Sequence, residues 1–191
     1  MEFIELLEVE FRRNANHQRS IGQKAYMRNQ FEYFGLDAKT RRQIQQPFLV
    51  TKFLPSKKEA KTLIINLWKK PQRDFQYVAQ ELAFKYVKTF EKDDILLFEY
   101  MATHKSWWDT VDYIATKLMG SYFKKFPEQR DSYIKKWIAS NNIWLQRCAI
   151  LFQLKYKMEL DTKRLENVIL SLKNTNEFFI NKAIGWILRE Y

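Results

Sequence analysis

At 191 residues the chain is long enough for a sizeable core, yet four glycines and four prolines are too few for a β-sandwich or a doubly wound sheet with its turns. One cysteine with His17 and His104 forms neither an internal disulfide nor a four-ligand zinc site, so no structural metal and no cofactor are expected. With 33 Lys and Arg against 22 acids, a net charge of +11, a pI near 9.6 and 16% aromatics, a nucleic acid is the favoured partner.

The start, Met1-Glu2-Phe3-Ile4-Glu5, lacks the pattern of a signal peptide, and no apolar run approaches the roughly 18 residues of a membrane span. A soluble, cytoplasmic protein is expected. Phe3, Leu6, Leu7 and Phe11 recur at helical spacing and predict a first helix. A second, from His17 or Gln18 to Gly35, carries Ile21, Tyr26, Met27 and Phe31 beside Arg19, Lys24 and Arg28, a mixture of rings and cations.

Residues 37–54 read as helical with a break near Pro47, and Ser56-Lys57-Lys58-Glu59 is a capping box opening a helix that Pro71 ends. The set Phe75, Val78, Leu82, Tyr86 and Phe90 predicts a long amphipathic helix over 74–90, followed by a short one over 94–101. Pro127 suits the first turn of a helix containing Tyr133, Ile134, Trp137 and Ile138. About eleven helices joined by short loops, with no fixed period and no linker, read as an α-solenoid or a compact bundle in one domain, residues 1–191.

The stretch Ser106-Trp107-Trp108-Asp109-Thr110-Val111-Asp112 is unusual. Its S-x-x-D spacing predicts a capping box between Ser106 and Asp109, with the helix starting near Trp107. Trp107, Val111, Ile114 and Leu118 share a core stripe, and Trp108 and Asp112, four apart, stack on its shoulder. In the apolar helix from Asn142, Arg147 falls about 40° from Ile143 on a stripe that otherwise carries Ile150 and Leu154. A cation there needs an anionic partner, either some acid on a neighbouring helix in a structural ion pair or, more sharply, Asp112, a DNA phosphate, or both. The last helix, 177–191, has its core stripe at Ile180, Ile184, Ile187 and Tyr191; Trp186 stands off it between Lys182 and Arg189, on a face shared with Phe179. A ring between cations suits a nucleic-acid surface.

Four separated motifs resemble the AlkD-type DNA alkylation repair family: Lys24 to Phe31 (KAYMRNQF), Lys105 to Asp112 (KSWWDTVD), Trp144 to Ala149 (WLQRCA) and Phe179 to Tyr191 (FINKAIGWILREY). The resemblance spans essentially the whole chain. It implies an all-α solenoid of HEAT-like repeats with a concave basic face, acting as a monofunctional DNA glycosylase in base excision repair and working on the sugar without enclosing the base. It implies further that Asp112 is the catalytic carboxylate, that Arg147 supports Asp112 and the DNA backbone, that Trp108 and Trp186 line the lesion site, and that Tyr26 faces DNA. Arg28, Lys182 and Arg189 complete the expected contacts to double-stranded DNA. One departure is the stop at Tyr191, since members usually continue for another helix or so.

An N3- or N7-alkylated purine carries a positive charge and is already a good leaving group. The remaining task is to stabilise an oxocarbenium-like sugar and to place a water, which one carboxylate does. The expected function is hydrolysis of the N-glycosidic bond of such purines by a monomer. The alternatives are a non-enzymatic binder of damaged or branched DNA and, disfavoured by the charge, a protein-interaction scaffold.

Overall fold

A computed structural model describes residues 3–190. Among them all regular secondary structure is helical, apart from an isolated parallel bridge between Glu32 and Gln72. The all-α class is as expected, with helices of 6 to 13 residues. The chain divides into two compact units, Met1–Tyr86 and Val87–Tyr191.

In the first unit, α1 (Phe3–Arg13), α2 (His17–Tyr26), α3 (Ala38–Gln45), α4 (Lys57–Lys69) and α5 (Arg73–Lys85) follow one another. Helix α2 ends nine residues before Gly35, where the sequence pattern placed its stop. Met27 is the C-cap, and the next two residues turn left-handed, Arg28 at φ 53° and Asn29 at φ 57°. The Asn29 N–H reaches the Lys24 carbonyl at 2.8 Å and the Arg28 N–H that of Ala25 at 3.0 Å. This is a Schellman turn with arginine where glycine is usual.

Phe31 consequently leaves the helix and lies 3.8 Å beneath the Arg73 guanidinium. Gly35 still has a decisive role, because at φ 81° an added Cβ would fall 1.9 Å from the Asn16 carbonyl oxygen. Phe11, Phe34 and Phe75 meet at centroid distances of 5.5–5.6 Å and, with Leu7, Ile64, Leu67 and Leu82, form the buried core.

The break at Pro47 is a short 3₁₀ turn, Gln46–Leu49, after α3. The Ser56 capping box forms as expected: the Glu59 N–H donates to Ser56 Oγ at 3.4 Å, and the Ser56 N–H donates to Glu59 Oε2 at 2.9 Å. Helix α4 stops two residues before Pro71; the Leu67 carbonyl accepts the Lys70 N–H, and buried Gln76 donates its amide to the carbonyls of Leu67, Trp68 and Lys70 at this helix end. The long helix expected over 74–90 is shorter, because Val87–Thr89 tighten into a 3₁₀ turn.

In the second unit lie α6 (Asp94–Thr103), α7 (Trp108–Tyr113), α8 (Gly120–Lys125), α9 (Arg130–Ala139), α10 (Ile143–Leu151), α11 (Thr162–Leu172) and α12 (Phe178–Glu190). Between α7 and α8 the helix continues without interruption but widens into a π-helical segment, Ile114–Met119. Ile114, Ala115, Leu118 and Met119 are all inaccessible. The wider winding therefore turns a broad apolar face to the core. Gly120 permits a close crossing, since a Cβ would come within 2.7 Å of the Phe152 carbonyl; its own carbonyl accepts from the Tyr156 hydroxyl at 2.7 Å.

Candidate functional site

Helices α7, α10 and α12 pack together in the second unit and bring separated parts of the sequence into one place. Ser106 does not cap α7 as its spacing predicted. Its hydroxyl turns back to the Ala102 carbonyl at 2.7 Å, and Trp107, with extended backbone, is the N-cap residue. Asp109 is the acid of the first turn, where the helix dipole favours it. Trp108 and Asp112 sit one turn apart on α7, both half-buried.

Asn142 caps α10 by accepting from the Trp144 and Leu145 amides at 3.0 and 3.2 Å. That first turn sets Trp144 and Arg147 three residues apart on one side. Arg147 is buried and faces Asp112 in a two-pronged pair, with Nε donating to Oδ1 at 2.6 Å and Nη2 donating to Oδ2 at 2.9 Å. Its third nitrogen, Nη1, donates to the carbonyl oxygen of Phe179 in the first turn of α12. The arginine that interrupts an apolar stripe thus has an acid on a neighbouring helix as its partner.

The side chains of the pair are 5% and 16% exposed. Burial pushes the Asp112 carboxyl above the ordinary carboxylate range; Arg147 opposes that shift, and Asp109 adds to it. The result is a desolvated carboxylate fixed in direction by a guanidinium fork, with a tryptophan one turn away. Such a group attracts a cation and accepts a hydrogen bond from water.

The chain matches, over residues 7–191, the model of a family described as DNA alkylation repair enzyme. It belongs to that family. A solved structure described as a predicted DNA alkylation repair enzyme from Enterococcus faecalis is 30% identical, with 93% of this chain and 83% of that chain covered and a TM-score of 0.86. No curated protein matches the chain. The all-α, solenoid-like class expected from the sequence is the class of the family.

The other expected site residues of this family member fall as follows. Trp186 is half-buried on α12, one turn before Glu190, whose carboxylate pairs with Lys155 at 3.0 Å. Of the two cations expected around the Trp186 ring, Lys182 stands 5.5 Å over Phe178, and Arg189 folds back along Gly185. Tyr26, 71% exposed, and Arg28 end α2 in the first unit. Ile184 is half-buried while Ala183 is inaccessible, so the core stripe of α12 runs through Ile180, Ala183 and Ile187; Tyr191 lies outside the described residues.

Three rings that sequence reasoning did not assign to the site border it. Trp107, Trp144 and Phe179 pack on one another, with centroids 5.8, 5.1 and 4.9 Å apart. Trp107 was expected in the core stripe of α7, but as an N-cap residue it projects toward α10 and α12 instead. Its indole N–H is buried with no hydrogen-bond acceptor among the described residues. A possible signal was present, since each of the three rings lies within a turn or so of a residue already singled out. An acidic group, Glu91, Asp93 and Asp94, gathers before α6, where Asp94 accepts from the Glu91 amide at 2.8 Å as a turn-forming residue.

Proposed function

We propose that the chain is a monofunctional DNA glycosylase that hydrolyses the N-glycosidic bond of cationic N3- or N7-alkylated purines in duplex DNA. The observation that carries this reading is the desolvated Asp112 carboxylate held by the Arg147 fork at the end of α7, in a member of the DNA alkylation repair enzyme family.

The substrate's alkylated base departs without much acid assistance, because its positive charge is neutralised as the bond breaks. Charge then accumulates on the sugar. Asp112 stabilises it and orients the attacking water, with a plausible contribution of about 3 to 4 kcal/mol to the transition state, by analogy with single groups in preorganised sites. Trp108 and Trp186 present ring faces to the same developing cation. Arg147 acts through Asp112, setting its direction and favouring its ionised form. Tyr26 and Arg28 in the first unit, and Lys182 and Arg189 in the second, contact the DNA, and the base is released without being enclosed in a deep pocket.

The test is incubation of the chain with methylating-agent-treated duplex and chromatography of the freed bases. Wild type is expected to release alkylated purines. Asp112→Asn should lower the single-turnover rate by roughly a hundredfold to a thousandfold while duplex affinity stays within about threefold. Unchanged release by that variant removes Asp112 from the chemistry. Tight, salt-sensitive binding by wild type with no release establishes a non-enzymatic binder instead.

A further inference from the structure

The Asp112–Arg147 pair is tied to the main chain of α12 through Phe179, a residue whose ring packs on two tryptophans. Arg147 uses all three nitrogens, two on Asp112 and the third on the Phe179 carbonyl. That carbonyl belongs to the first turn of α12, so the orientation of the guanidinium depends on where this turn sits. Phe179 is located in turn by its ring, which lies 4.9 Å from Trp144 and 5.1 Å from Trp107. The three rings touch one another in a triangle, and Trp144 is the one that stands on the same helix as Arg147 and lies nearest the Phe179 ring.

We propose that Trp144 is a positioning residue: packed against both Phe179 and Trp107, it holds the first turn of α12 where the Phe179 carbonyl receives Arg147, and so fixes the fork that Arg147 presents to Asp112. The three rings are half-buried and their contacts are edge or tilted contacts between large flat surfaces. Such contacts define orientation more sharply than aliphatic packing does. Removing the Trp144 ring lets Phe179 relax into the space, withdraws its carbonyl from Arg147 and frees the guanidinium to rotate off Asp112. A displacement of about 1 Å at a reacting group lowers turnover by on the order of a hundredfold.

The test has two arms. The first reads the Arg147 Nε–H in proton–nitrogen spectra of the full chain, the signal being identified by its loss in Arg147→Lys. A buried Nε–H bonded to a carboxylate at 2.6 Å should give a slowly exchanging, downfield resonance. Trp144→Ala and Phe179→Leu are each expected to abolish that resonance or move it to the position of solvated arginines, and Trp144→Phe to retain it. The second arm, which rests on the proposed glycosylase reading, measures base release from methylated duplex. Trp144→Ala should lower kcat by roughly a hundredfold with KM within about threefold, and Trp144→Phe should recover most of it.

Should Trp144→Ala fail to fold by thermal melting, Phe179→Leu decides the matter alone. An unchanged Arg147 resonance in a folded Trp144→Ala or Phe179→Leu protein overturns the proposal. If wild type releases no base, the glycosylase reading fails, and the resonance arm still judges the positioning role.

Discussion

At the scale of single residues, two buried acids are raised in pKa by desolvation and have opposite relations to function. Asp112 must be ionised to stabilise a cationic sugar, and burial holds its carboxyl above the ordinary range of about 4. Base release is therefore expected to fall on the acid side through a limb lying above that of an ordinary aspartate. Arg147→Gln removes the group that opposes the shift, so the limb should move to still higher pH. A limb that stays in place in Arg147→Gln would show that Asp112 does not control it.

Asp74, on α5 of the first unit, is raised to about 6, chiefly by burial, although it accepts from the Phe34 amide at 2.9 Å. Its proton is held more tightly in the folded than in the unfolded chain. Its contribution to stability is thus most favourable below pH 4 and is lost as pH rises from about 4 to about 6, by about 3 kcal/mol. Asp74→Asn keeps an acceptor for Phe34 but has no proton to lose. In urea titrations, the stability of wild type relative to Asp74→Asn should fall by about that amount between pH 4 and pH 7; a constant difference would refute the assignment.

At the scale of helices, legibility followed from how local each determinant is. The Ser56–Glu59 box and the Pro47 and Pro71 breaks depend on residues within a turn of one another, and all three appear as expected. The buried stripe of Val111, Ile114 and Leu118 was legible from period alone. So was the anomaly at Arg147, because a cation on an apolar stripe implies an anionic partner, though period alone leaves an acid and a phosphate both open. The π-helical segment after Asp112 was not legible, since no residue type marks an extra residue per turn; tertiary packing of Ile114 to Met119 selects it. The Trp107–Trp144–Phe179 contacts were hidden for a related reason, as each ring's partner is on another helix. Ser106 misled because its hydroxyl had a nearer acceptor in the end of α6.

The end of α2 was missed because its Schellman turn uses arginine where glycine is the usual signal. A left-handed non-glycine residue costs roughly 1 kcal/mol or more, and the cost at Arg28 is unexplained by packing, since its side chain is exposed. The role proposed for Arg28 at the DNA surface offers a reason for it. Arg28→Gly should leave stability unchanged or raise it by up to about 1 kcal/mol, the relief of strain being partly offset by a more flexible unfolded chain. Duplex affinity should fall in the same variant. Lower stability, or affinity equal to that of wild type, would each contradict this account of Arg28.

At the scale of the whole molecule, positive charge is spread rather than localised. Lys and Arg outnumber Asp and Glu 16 to nine in Met1–Tyr86 and 17 to 13 in Val87–Tyr191. Binding to duplex should therefore weaken steeply with salt, because each phosphate neutralised releases condensed counterions and contributes about −0.9 to the slope of log K against log salt. The residues proposed for chemistry and those proposed for holding the backbone should separate in this measurement. Lys182, exposed on α12 with its ammonium over Phe178, is expected to contact phosphate, so Lys182→Gln should flatten the slope by about 0.9 and leave single-turnover release at saturating protein unchanged. Asp112→Asn should do the reverse, keeping the wild-type slope while release is lost. Fluorescence anisotropy of labelled duplex from about 50 to 200 mM salt reads the slope directly. An unaltered slope in Lys182→Gln would remove Lys182 from the backbone contacts, and a flattened one in Asp112→Asn would mean that the carboxylate helps to arrange the binding surface as well as the reaction.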